Sequence, residues 1–207
     1  MSKGHLFIVS GPSGSGKDTI LAQVFKNHPE IAFSISSTSR PMRDGDTEGE
    51  KYNFISKEQF LNLIENDMLL EYNNFCGNYY GSPKAPVMAW LEEGRDVILE
   101  VDVNGAAQIR SRMPKAISIF IMPPSYAELH RRLSGRNTET KEVIAERMAV
   151  ALKEIERATE YDYVVINDKL EKAIEDLTSV ILSRRLVIKN QKYIIDEVLK
   201  NVKSGNR

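Results

Sequence analysis

The sequence predicts an α/β protein: a parallel-sheet core with helices on both faces, interrupted by a small mixed α/β lobe and carrying a helical lid. Three observations support this. Apolar runs of strand length, at 6–9, 97–99, 117–122 and 163–166, alternate with longer stretches whose apolar residues recur at helical spacing. The first run passes directly into a glycine-rich turn and then an amphipathic stretch. Between Ser34 and about Trp90 the pattern changes to short strand-like segments, unlike the alternation on either side. The boundaries that follow are a core of 1–33, 94–124 and 160–207, a lobe of 34–93 and a lid region of 125–159.

A chain of 207 residues with 28% charged and 42% hydrophobic residues can bury a substantial core. Its formal net charge of −1 argues against an extended polyanion such as nucleic acid as partner, but leaves small phosphorylated ligands open. One cysteine, Cys76, excludes an internal disulfide framework and fits a reducing compartment. With no long apolar run and no signal-peptide pattern, a soluble, cytoplasmic protein is expected, with no membrane partner, as a monomer or homodimer.

Leu6-Phe7-Ile8-Val9 reads as the first strand, and Ile20, Leu21, Val24 and Phe25 mark the first helix. Between them stand Ser10, Gly11, Pro12, Ser13, Gly14, Ser15, Gly16, Lys17, Asp18 and Thr19. Strand, glycine-rich turn and helix, with a lysine in register, form the context of a phosphate-binding loop. Backbone N–H groups at the helix start face an anion, and Lys17 supplies a full charge beside the β- and γ-phosphates of a nucleotide. Asp18 stands where a Ser or Thr hydroxyl usually ligates Mg²⁺; a carboxylate there is itself a ligand for a hard cation.

Residues 31–37 read as one short strand, and 39–46 as a polar loop whose Arg40 and Arg43 suit an acceptor phosphate. Tyr52–Ile55 is a strand, and Ser56 with Gln59 a capping box opening a helix. Leu69 to Gly81 folds back around a Cys76-Gly77-Asn78 turn. The strand at 96–102 ends in Glu100 and Asp102, acids at the carboxyl end, beside the ligand crevice of an open parallel sheet. Ser125 caps the next helix; Arg131, Arg132 and Arg136 crowd its end, and Arg147 lies in a long helix over 140–159. Arginines gathered at a hairpin can cover a nucleotide and neutralise a transferring phosphoryl group, although Arg131 reads as a residue offsetting the helix dipole. Tyr163–Ile166 is the last strand, Asn167-Asp168 can cap the helix that follows, and the basic, apolar-studded tail beyond Arg184 reads as more helix.

These segments resemble the guanylate kinase family over nearly the whole chain to about residue 185. The phosphate loop alone suits many nucleotide kinases; more specific are Ser34-Ile35-Ser36-Ser37-Thr38-Ser39-Arg40-Pro41-Met42-Arg43, Tyr52-Asn53-Phe54 and Gly77-Asn78-Tyr79-Tyr80-Gly81-Ser82. The runs 98–105 and 135–140 complete the match. The resemblance implies a P-loop NTPase core with a GMP-binding lobe and a lid, and Mg²⁺-dependent transfer from ATP to GMP in purine nucleotide metabolism. It further implies that Ser36, Glu71, Ser82 and Asp102 hold guanine, and that Arg40, Arg43, Tyr52 and Tyr80 hold the GMP phosphate. Lys17, Arg132, Arg136 and Arg147 would face the transferring group, residues 11–19 the ATP phosphates, and Asn167 the adenine, with Asp18 and Glu100 as metal ligands. The chain departs from the family pattern at Asp18, at Asn137 where glycine is common, at Glu100 where Asp is frequent, and in its length past residue 185.

The chemistry agrees. A phosphate monoester has a second pKa of about 6, so the acceptor needs no general base at neutral pH. Guanine offers N–H donors at N1 and N2 that one carboxylate accepts together, whereas adenine N1 is an acceptor that the same carboxylate repels. Two rivals share the fold: a ribose 1,5-bisphosphate kinase, often carrying Gly-Lys-Asp in its loop, and a catalytically silent guanylate-kinase-like interaction module.

Overall fold

A computed structural model of the chain describes residues 3–135 and 140–205, with side chains to residue 200. Its core sheet has five parallel strands in the order β2-β7-β1-β8-β9: Ala32–Phe33, Val97–Glu100, Leu6–Ser10, Ile117–Met122 and Tyr163–Ile166. All five residues of β1 are buried, as expected of a central strand covered on both faces. Alternation sorts them: Phe7 and Val9 join Ile20, Val24, Leu177 and Ile181 of α1 (Lys17–Asn27) and α7 (Leu170–Ser183). Leu6 and Ile8 join Val87, Leu91, Ala106 and Ile109 of α3 (Lys84–Glu92) and α4 (Val103–Arg112) on the opposite face. The edge strand β9 keeps only Val165 buried.

A second sheet of four strands, β4-β3-β6-β5, forms the lobe: Tyr52–Phe54, Ser36–Thr38, Asn78–Pro83 and Leu69–Phe75. The run 31–37 is therefore two strands, since the chain leaves the core sheet at Ser34-Ile35 and pairs with Tyr52–Phe54 instead. Beside β4, the capping box of Ser56 and Gln59 opens α2 (Lys57–Glu65), whose Phe60 is buried and stacks on Tyr79. The β5–β6 hairpin turns on Cys76 and Gly77, both at positive φ (49° and 79°), the mirror-image turn geometry that matches strand twist.

α5 (Tyr126–Ser134) and α6 (Lys141–Glu156) pack together through Leu129, Leu133, Met148 and Ala151, and a single 3-10 turn over Arg157–Glu160 follows. The last helix, α8 (Ile188–Gly205), is rooted where buried Asp96 accepts bonds from His5 and Arg185, and it leaves Ile188, Ile195, Val198 and Leu199 exposed.

Candidate active site

The phosphate loop joins β1 to α1 at the carboxyl edge of the core sheet. Gly16 adopts φ +87° just before α1, and a Cβ there would come within 2.3 Å of Asn167 Nδ2, so only glycine fits both the turn and the contact. Lys17 arches over the loop and donates to the Gly11 carbonyl at 2.8 Å, with Pro12 O at 3.4 Å. Asn167 does not cap α7, whose N-cap is Lys169 without a side-chain bond; its amide donates to Ser15 O at 2.7 Å instead. Arg132 reinforces the same wall, donating to Asn167 O at 2.9 Å, to Ser15 O at 3.3 Å and to Glu128 at 2.7 Å. Arg147 reaches from α6 to Ser13 Oγ at 2.7 Å. Arg131 is exposed and pairs with Glu128 one turn away on its own helix. Arg136 lies outside the described residues.

Glu71 lies on β5 of the second sheet. It is 5% exposed, and Ser82 Oγ donates to its Oε1 at 2.7 Å. A Cβ on Gly105 would lie 2.8 Å from Glu71 Oε2, which places this lobe carboxylate against the first turn of α4. Asp102 caps that helix through bonds from Asn104 N and Gly105 N, while its Oδ2 accepts from Asn73 Nδ2 at 2.8 Å, tying the lobe to the core. Burial, with the Asp102 charge adding to it, pushes the Glu71 carboxyl up to about 7.

Ser36 stands in β3 in register with Tyr52 on β4, and Tyr52 meets Tyr80 of β6 edge to face at 5.7 Å. Arg40 is buried over the rings of Tyr52 and Phe54 and pairs with Asp46 at 2.9 Å; Arg43 stays exposed on the same loop. Asp46, Asn73, Lys51 and Gln108, which brackets the Tyr72 backbone from α4, are site neighbours that the sequence reading passed over. Only the alternating charges of 40–51 hinted at the first and third of them.

The Asp18 and Glu100 carboxyls adjoin each other, and both feel the Lys17 charge. Burial and the Asp18 carboxylate push Glu100 above the usual range. Partial desolvation opposes ionisation of the largely exposed Asp18 too, but the Lys51 bond and charge, with Lys17, hold it below its ordinary value. A divalent cation would relieve the crowding of the two carboxylates. One or two protein carboxylates plus phosphate oxygens is the set Mg²⁺ favours, so these residues fit such an ion shared with a nucleotide. Among the described residues, no group of three or more His, Cys, Asp or Glu forms a metal cage of its own, and no helix is long and apolar enough to cross a membrane.

A family model described as guanylate kinase matches residues 3–184. The chain is 42% identical over 195 residues to a guanylate kinase of Desulfitobacterium hafniense, covering 94% of this chain and 98% of that one. It is 45% identical over 199 residues to a guanylate kinase of Neisseria gonorrhoeae, covering 96% and 97%. Only eight of the 207 residues lie outside that second alignment, so at least part of α8 has a counterpart there. In three dimensions it is similar to the crystal structure of guanylate kinase from Anaplasma phagocytophilum, with a TM-score of 0.72 at 30% identity over 88% of this chain and 87% of that one. The motifs, the two-sheet architecture and these likenesses agree, and the chain belongs to the guanylate kinase family.

Proposed function

We propose that the protein is a cytoplasmic ATP:GMP phosphotransferase, moving the γ-phosphoryl group of ATP to GMP or dGMP to give ADP and GDP, with Mg²⁺ as the divalent cation. The observation that carries the base specificity is the buried Glu71 held by Ser82 beside Asp102. Ionised, Glu71 accepts the N1 and N2 hydrogens of guanine, and the buried mismatch with adenine discriminates strongly. Ser36 and Asp102 complete the base pocket. Arg40 and Arg43 bind the GMP phosphate together with Tyr52 and Tyr80, and Asp46 steadies the Arg40 fork.

On the donor side, residues 11–19 cradle the ATP phosphates and Asn167 closes the loop beside the adenine. Catalysis is positioning and charge neutralisation: Lys17, Arg132, Arg136 and Arg147 surround the phosphoryl group in flight, and no residue needs to remove a proton. Asp18 and Glu100 would hold the cation, which supplies charge to the phosphate oxygens when bound.

A sugar bisphosphate has no use for the Glu71–Ser82 pocket, and a silent module has none for Lys17 and Arg147 at the loop. A coupled assay of ADP formation with GMP, dGMP, AMP and ribose phosphates tests the reading. Turnover with GMP and dGMP is expected. Turnover with the sugar phosphate alone, or none at millimolar Mg²⁺, overturns it.

A further inference from the structure

Lys51 stands just before β4 in the acceptor lobe, yet its ammonium lies 2.7 Å from Asp18 Oδ2, on the first turn of the phosphate-loop helix. Among the described residues, this is the hydrogen bond by which the 39–56 segment leaves its own lobe for the phosphate-loop helix. Both side chains are more than 60% exposed, and exposed pairs of this kind add little to folding stability. Their value lies in where the charges are. Asp18 brings a carboxylate to a position where phosphate loops carry a neutral hydroxyl, beside a polyphosphate that already repels it. Lys51 returns the missing positive charge, and its sequence neighbour Tyr52 turns toward Tyr80 at the other nucleotide's end.

We propose that Lys51 is a positioning residue for phosphoryl transfer that acts through Asp18: it neutralises the aspartate of this unusual phosphate loop and joins the acceptor lobe to the donor site. The inference rests on the phosphotransfer reading above and adds a residue to it. Lys51 and a divalent cation draw on the same carboxylate, but Lys51 alone also ties it to the acceptor lobe, so the lysine matters with or without the cation.

The test is a double-mutant cycle of Lys51→Ala and Asp18→Ser, with Lys51→Arg as the conservative rescue. Two quantities are read: the dissociation constant of ADP in chelator, without any metal, and kcat/KM at saturating cation, resolved into its kcat and KM parts. In the wild-type background, Lys51→Ala should weaken ADP about fivefold and lower kcat/KM about tenfold, and Lys51→Arg should recover most of both. In the Asp18→Ser background, the same lysine change should alter either quantity less than about twofold. Equal losses in both backgrounds, or no loss in either, overturn the proposal. An unaltered enzyme that binds ADP with the expected coupling but never phosphorylates GMP would overturn the phosphotransfer reading instead.

Discussion

Glu71 approaches Gly105 so closely that a single methyl group on the glycine would lie 2.8 Å from the carboxylate oxygen and 3.1 Å from its carbon. The second sheet and the core thus meet at the carboxylate proposed to read the base.

Gly105→Ala makes the first prediction. Alanine in α4 recovers about 0.5–1 kcal/mol of helix propensity but displaces Glu71. Urea denaturation should therefore show stability within about 1 kcal/mol of the parent, while KM for GMP rises roughly tenfold or more and KM for ATP stays constant. A loss confined to stability would mean that Glu71 does not read the base.

The raised Glu71 pKa sets a pH dependence. Its folded value, about 7, lies above the ordinary 4.5, so the native state holds a proton that the unfolded chain releases. That contribution to stability is whole below 4.5 and is lost as pH rises through 7. Glu71→Gln should consequently stabilise the protein at pH 8 by up to about 3 kcal/mol and hardly at all at pH 4. If Glu71 reads the base as proposed, GMP binding has the opposite preference, since the ionised carboxylate is the form that accepts the guanine N–H groups. KM for GMP should climb as pH falls below 7, a rise that Glu71→Gln abolishes along with most of the affinity.

Two arginines, one on α5 and one on α6, should separate. Arg147 meets the loop through Ser13 Oγ, so Arg147→Ala should lower kcat about 10²- to 10³-fold with little change in melting temperature. Arg132 also buttresses the Ser15 and Asn167 carbonyls, and its alanine variant should in addition lose about 1–2 kcal/mol, a fall of roughly 2–8 °C. Calorimetry beside steady-state kinetics distinguishes them; identical melting curves would deny Arg132 its bracing part.

Asp96 anchors the root of α8 through His5 and Arg185. Burial raises its carboxyl, but those partners outweigh burial and hold it below 3.8, so its contribution is present above that pH and lost as acid protonates it. Asp96→Ala should cost roughly 2–4 kcal/mol at pH 7 and progressively less in acid. A constant deficit down to pH 2 would contradict the ion pairing.

The core strands, the loop and most helices were legible because period and motif are local: β1 is apolar throughout, and Gly16-Lys17 follows it in register. What escaped was decided by distant partners. Residues 31–37 look like one strand, but hydrogen bonding to β7 ends at Ser34, whose N–H donates to Ile98 O, while Ser36 pairs with Tyr52. Asn167 is a good capping residue by type, yet Ser15, far back in the chain, takes its amide. Arg40 stood out as a candidate phosphate ligand from its loop alone, whereas its counter-ion Asp46 and the Asn73–Asp102 tie depend on how loop and lobe fold over.

The chain's one sulfhydryl, Cys76, is exposed at the tip of the β5–β6 hairpin. A maleimide dye would therefore attach at a single place without mutagenesis, on the sheet whose closure over the core the proposed two-substrate reaction calls for. Stopped-flow fluorescence on the labelled protein can then follow that closure during a single synchronised turnover.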